Sequence, residues 1–179
     1  MLGERTVDRN GIARRDAFDA LAHGQLDASY RLAAVILGDP HEAQDATHDA
    51  FVAAWKGWPG LRDQARLEAW FGRILVNICR DRLRRARRRP VVDISDELHL
   101  TDGGDHVAAA ADHDALDRGF ARLSNDERIV VALRYYGDLT IDEIAVRVGV
   151  PPGTVKSRLH RAVRDLGVAL APDRPEETR

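Results

Sequence analysis

Apolar residues along this chain recur at spacings of three and four, the period of helices that bury one face. From Ile12 to Ala22, Phe18 and Leu21 face inward on a short helix. A second helix, Asp27 to Leu37, carries Tyr30, Ala33, Ala34 and Leu37 and stops at Gly38. Asp39 then caps a third, which Pro40 opens, because a proline in a first turn gives up no intrahelical hydrogen bond. Asp39 and Glu42 have the spacing of a capping box. This third helix buries Ala43, Ala46, Ala50, Phe51 and Ala54 and leaves Gln44, Asp45, His48, Asp49 and Val52 on an outer, mostly acidic strip. Gly57, Pro59 and Gly60 mark its end. A loop to Arg66 leads into a long helix, Leu67 to Arg89, with Leu67, Trp70, Phe71, Ile74, Ile78 and Leu83 as its stripe.

The pattern resumes near Ala115. Leu116, Phe120 and Leu123 share one helix; Ser124 and Glu127 cap the next, and Ile129, Val130, Leu133 and Tyr136 give it a core face until Gly137 breaks it. Thr140 and Glu143 form another capping box, ahead of a helix that buries Ile144, Ala145 and Val148 and ends at Gly149, where a left-handed backbone is cheap. After Val150, Pro151 and Pro152 comes a second apolar stripe, Val155, Leu159, Ala162 and Leu166. The opposite face presents Lys156, Ser157, His160, Arg161 and Arg164, hydrogen-bond donors with no acid between Gly153 and Arg164. Two helices joined by a tight turn, the second with an acid-free donor face, have the layout of a DNA-reading helix-turn-helix. A solvated face on an ordinary core helix would explain the charges but not their coincidence with the turn and the cap.

Composition divides the chain. Its 179 residues, 44% hydrophobic and 31% charged, can bury one sizeable core or two small ones, and the charge layout favours two. The formal net charge of -2 would argue against a nucleic-acid partner, but it averages over segregated blocks. Arg80, Arg82, Arg84, Arg85, Arg87, Arg88 and Arg89 crowd the end of the long helix against one acid, Asp81. Cations suit a helix C-terminus, yet so many repel one another unless a polyanion lies alongside. From Val91 to Asp117 the sign inverts, with Asp and Glu but no Lys or Arg around Gly103 and Gly104. That stretch is a linker by composition, either a solubilising tether or an acidic strand for a partner's basic groove. The expected fold is all-α, two small helical domains at residues 12–90 and 114–171 joined by a flexible acidic linker at 91–113, the C-terminal domain containing the helix-turn-helix.

No apolar run approaches the ~18 residues of a membrane span, and the N-terminus lacks a signal peptide's apolar core, so no membrane insertion and a cytoplasmic protein are expected. Cys79, the single cysteine, stands among Ile74, Leu75 and Ile78 and reads as a small core residue rather than a ligand or nucleophile. The sequence has no HExxH, paired-cysteine or glycine-rich phosphate motif and no nucleophile with its base, so no catalytic residue, metal or cofactor is expected. A helical metal enzyme built from Asp45, His48 and Asp49 is the weakest of the readings.

GDPHEAQDATHDAFVAAWKGW resembles the polymerase-docking helix of the extracytoplasmic-function sigma factors, the small two-domain class of bacterial RNA polymerase sigma factors. RLEAWFGRILVNICRDRLRRARRR is similar to their promoter-melting helix. LSNDERIVVALRYYGDLTIDEIAVRVGVPPGTVKSRLHRA is similar to their C-terminal domain, and its GTVKSRLHRA is the most specific of these segments. The resemblance runs from Asp16 to Leu170. It implies a subunit that binds core RNA polymerase, through the β′ clamp and the β flap, and directs it to promoter DNA, with an anti-sigma factor as regulator. Asp45, His48, Asp49 and Val52 would face the clamp, although the family more often has Gln and Glu where this chain has His48 and Asp49. Arg62, Asp63 and Arg66 would lie in the loop that reads the melted -10 strand, with Asn77 and Arg80 on the adjoining helix and Glu68 where basic or polar residues are commoner. Thr154, Lys156, Ser157, Arg158, His160, Arg161 and Arg164 would read the -35 element, His160 standing where an aromatic is frequent. The acidic linker would thread the polymerase's RNA channel.

A stand-alone helix-turn-helix regulator is the alternative. It leaves the arginine block and the acidic strip without a role. It would bind duplex DNA unaided, with a salt slope of about 0.9 per phosphate contacted, whereas a sigma factor would bind weakly until core polymerase is added.

Overall fold

The structure is a computed structural model and describes residues 9–58, 63–88, 116 and 118–170. The linker expected at 91–113, Arg62 and Arg89 lie outside the described residues. Within them all regular structure is helical: α1 (Arg9–Leu37), α2 (Pro40–Gly57), a 3-10 turn (Gln64–Arg66), α3 (Leu67–Arg88), a short helical stretch at 118–122, α4 (Asn125–Tyr135), α5 (Ile141–Val148) and α6 (Pro152–Leu170).

The two helices expected before Gly38 are one. Gly24 costs a helix interior about 1 kcal/mol relative to alanine, but no proline or cap interrupts residues 23–26, and buried Leu21, Ala33, Ala34 and Ile36 hold both halves against the bundle. The helix ends at Gly38, whose φ of 70° brings its N–H 2.8 Å from the Ala34 carbonyl. Asp39 caps α2 by accepting from the Glu42 N–H at 2.9 Å. The reciprocal half of the expected capping box is absent, because the Glu42 carboxylate is turned to Arg82.

Small residues face inward on α2, where Ala43, Ala46, Thr47, Ala50 and Ala54 are buried, and this lets α1 and α3 lie close on either side. The Thr47 hydroxyl is satisfied locally by the Ala43 carbonyl at 2.8 Å. At one end of this bundle Phe18 meets Trp55, Trp58 and Phe51 edge-on, with ring centroids at 5.0, 5.7 and 6.2 Å. Phe51 lies 4.7 Å from Phe71. On α3 the buried set is Phe71, Leu75, Val76, Cys79 and Leu83; Ile74 and Ile78 of the expected stripe are half-buried. The burial of Cys79 pushes its thiol up to about 12.

Ser124 and Thr140 each complete a capping box, ahead of α4 and α5. Gly149 adopts the left-handed conformation, φ 73°, and ends α5. Val155, Leu159 and Ala162 of α6 are buried and Leu166 half-buried. Two aromatic expectations are overturned: Tyr30 is 38% exposed and Tyr136 55%. Tyr30 sits at the edge of the stripe that Ala33 and Ala34 bury, and Tyr136 is already the C-cap of α4, where the chain leaves the core.

α4 buries five consecutive residues, Ile129 to Leu133. A helix apolar on all sides is surrounded, and α4 touches α1 and α3 as well as α5 and α6. The N-terminal helices α1–α3 and the C-terminal helices α4–α6 therefore pack against each other, α5 lying along α3.

Candidate nucleic-acid interface

Helix α6 owes its position to the turn before it. Gly149 lets the chain reverse, and the Pro151 carbonyl accepts from the Thr154 N–H at 2.9 Å as the new helix starts. With Val155, Leu159 and Ala162 buried, the opposite side of α6 leaves Lys156, Ser157, His160, Arg161 and Arg164 exposed. The Ser157 hydroxyl donates to the Thr154 carbonyl at 2.9 Å. Arg161 stands 3.6 Å from Glu127 yet keeps just over half its side chain in solvent. Arg158 behaves differently: its side chain is 17% exposed and its Nη2 donates to Asp126 Oδ2 at 2.6 Å.

Of the residues assigned to the melted strand, Asp63 and Arg66 are exposed and paired with each other at 3.3 Å beside the 3-10 turn. Asn77 is exposed on α3 and accepts from Arg80 Nη1 at 3.3 Å. Arg80 is not free: its side chain is 15% exposed, its Nε lies 3.4 Å from Asp126 Oδ1, and its Nη2 reaches the Val148 carbonyl at 3.4 Å. Arg84, Arg87 and Arg88 of the arginine block, with Arg80, line a cleft of about 420 Å³ that Ser124, Asn125 and Asp126 at the start of α4 complete.

On α2, Asp45, His48, Asp49 and Val52 project from one face at helical spacing, and all are exposed. Two of them, Asp45 and Asp49, are engaged by a residue that the sequence placed only in the basic block. Arg82, reaching from α3 with 16% of its side chain exposed, donates to Glu42 and, at 2.6 Å, to Asp49, and lies 4.0 Å from Asp45. Burial works against its charge, but the hydrogen bonds to Asp49 and Glu42 outweigh it and its pKa is raised. Asp126 is the second residue of this kind. An acid in a first helical turn reads as a dipole partner, and nothing in sequence says that it also collects two arginines. Among the described residues no group of three or more His, Cys, Asp or Glu is placed to hold a metal ion, and no helix is long and apolar enough to cross a membrane.

The surface thus combines an acidic strip braced from below, a cationic α3 and a helix-turn-helix with its donor face open. Comparison with known proteins points the same way. Residues 23–89 match the family described as Sigma-70 region 2, and residues 113–166 match Sigma-70, region 4. The chain is 35% identical over 148 residues to the ECF RNA polymerase sigma factor SigM of Mycobacterium tuberculosis, covering 83% of this chain and 74% of that protein. It is 35% identical over 144 residues to SigL of the same organism, covering 79% and 81%. The solved structure of the sigma factor RpoE in complex with the anti-sigma factor NepR from Bartonella quintana superposes with a TM-score of 0.72 at 25% identity, over 88% of this chain and 98% of that one. The chain belongs to the extracytoplasmic-function sigma factors, the subunits that direct RNA polymerase to specific promoters.

Proposed function

We propose that the two ends of this sigma factor divide promoter selection between them. Residues 12–90 dock on core polymerase through Asp45, His48, Asp49 and Val52 and hold the melted -10 strand with Arg62, Asp63, Arg66, Asn77 and Arg80. Residues 114–171 read the -35 duplex with α6, and the acidic stretch 91–113 ties the two together. The observation that carries this reading is the exposed donor face of α6, opposite buried Val155, Leu159 and Ala162. Arg and Lys donors bond guanine O6 and N7 in the major groove, where a good bidentate pair discriminates by about 1 to 3 kcal/mol, while phosphate contacts set register.

One such helix gives little specificity alone. Two tethered modules gain through effective concentration when both DNA elements are in reach at once, and polymerase holds them in that register. Unstacking the bases of the opened strand costs a few kcal/mol, about what pocket contacts return. The chain itself performs no catalysis; phosphoryl transfer belongs to the polymerase, in the cytoplasm. An anti-sigma factor is the regulator this reading assigns, supported by the likeness to RpoE in its complex with NepR. Run-off transcription with purified core enzyme on a genomic fragment pool tests the proposal. Discrete start sites that depend on the chain, and that weaken with Lys156→Ala or Arg161→Ala, are expected; the absence of any chain-dependent start site would overturn it.

A further inference from the structure

A cavity of about 430 Å³ lies where α1, α3, the end of α4 and α5 come together, apart from the residues proposed above to dock polymerase or read DNA. Its apolar part is supplied by buried or half-buried Leu32, Phe71, Leu75 and Leu139, while Arg31, Glu68 and Tyr136 are exposed around it. Small-molecule sites have this size, about 300 to 1,000 Å³, and this mixture of an apolar wall with a few polar groups. The ring of Tyr136, which α4 leaves outside its core with 55% of the residue exposed, borders the same space. Gly137 follows it at a point where a Cβ would lie 2.8 Å from the Leu133 carbonyl oxygen, so the chain passes the cavity there without a side chain.

Arg147 of α5 is the group this cavity leaves incomplete. It packs on Gly72 of α3 so closely that a Cβ there would lie 2.7 Å from its Nε, and both residues line the cavity. That Nε is buried without a hydrogen-bond acceptor among the described residues, and a buried donor left unpaired is destabilising. Burial lowers the pKa of Arg147, outweighing the attraction of Glu143 and Glu68. An acceptor carried in by a ligand would supply what the guanidinium lacks, and a carboxylate does so with a charge-assisted hydrogen bond. Of the charged side chains lining the cavity, Arg31 and Arg147 are cationic and Glu68 is anionic. One negative charge therefore suits the site, whereas a second would meet Glu68.

We propose that this cavity is a binding site for a small aromatic monocarboxylate. Arg147 pairs with the carboxylate, and the ring lies among Leu32, Phe71, Leu75 and Leu139, with Tyr136 at the opening. Such a ligand touches helices from both halves of the chain at once. It binds the packed chain and not the unfolded one, so it raises thermal stability by mass action.

The test titrates the full chain with 1-naphthoate, and with 1-naphthamide as its uncharged match, by calorimetry. Naphthoate is expected to bind at one site, to raise the thermal midpoint, and to be preferred over naphthamide about tenfold or more. Gly72→Ala displaces the Arg147 side chain while favouring α3, and Arg147→Met removes the guanidinium. Each weakens naphthoate about tenfold and leaves naphthamide nearly as before. Arg84→Gln, in the separate arginine cleft, changes neither, which distinguishes the cavity from a general attraction of the anion to basic surface. Magnetisation transfer from naphthoate to the methyls of Leu32, Leu75 and Leu139 reads the location in the wild-type chain, so the result does not depend on any variant folding. No saturable binding to the wild-type chain, equal affinity for the acid and the amide, or transfer that misses those methyls overturns the proposal. So does binding that survives in folded Arg147→Met and Gly72→Ala or is lost in Arg84→Gln.

Discussion

Arg158 and Asp126 form a 2.6 Å charge-assisted pair that ties α6 to the first turn of α4. Arg158 thus stands in the middle of α6 with its guanidinium committed inward, whereas Lys156, His160, Arg161 and Arg164 are exposed. Arg158→Ala is expected to act first on stability, by about 1 to 2 kcal/mol for a partly exposed charged hydrogen bond. The thermal midpoint falls, while binding to a -35 duplex at a temperature where the variant is folded weakens less than in Arg161→Ala. Equal loss of binding in both, with no change in thermal midpoint, would place Arg158 in the groove instead.

Arg82 joins α3 to α2 by pairing with Glu42 and Asp49. Arg82→Met leaves carboxylates without their shared cation. The expected cost is about 1 to 3 kcal/mol of stability, with weaker binding to core polymerase because Asp49 is no longer held on its strip. A double-mutant cycle with Asp49→Asn measures the coupling; binding unaffected by Arg82→Met would separate the brace from docking.

Glu143 closes the capping box at the head of α5. Hydrogen bonds from the Thr140 hydroxyl and backbone N–H hold its carboxyl below the usual carboxylate range. A group depressed in the folded state contributes stability that is present above its unfolded pKa and lost as pH falls through the folded one. Acidification from neutral pH should therefore loosen α5 as the solution passes below the ordinary carboxylate range. Glu143→Gln should flatten that limb of the stability–pH curve, as read by thermal melts across the acid range.

Phe18 is the hub of the aromatic cluster, within 5.0 to 6.2 Å of Trp55, Trp58 and Phe51. Phe18→Ala should cost about 3 kcal/mol through lost burial and ring contacts. The emission of nearby Trp58, 7% exposed, should shift to the red. An unshifted spectrum and thermal midpoint would show that the cluster holds without it.

Local signals carried most of the fold. The caps at Ser124 and Thr140, the glycine at 149 and the α6 stripe follow from residue type and spacing, and the structure has them in place. What was not legible depends on long-range contact. Residues 23–26 look like a break until the packing on both sides makes one helix of them. The continuous apolar run Ile129 to Leu133 was the trace of a second packing partner for α4, hidden because a single-face reading uses only Ile129, Val130 and Leu133. Arg80 and Arg82 stand two residues apart in one basic block, and only the folded chain sends one to Asp126 and the other to Glu42 and Asp49.

The Arg82 brace has a mechanical consequence. Glu42 and Asp49 lie on the helix that would grip the enzyme, and Arg82 sits two positions from Arg80 on the helix that would meet DNA, so the two cannot tilt independently. On the function proposed above, the angle at which α2 would seat on its protein partner would also be the angle at which α3 arrives at the opened strand, so the aim of the promoter contact would be inherited from the handshake with the enzyme.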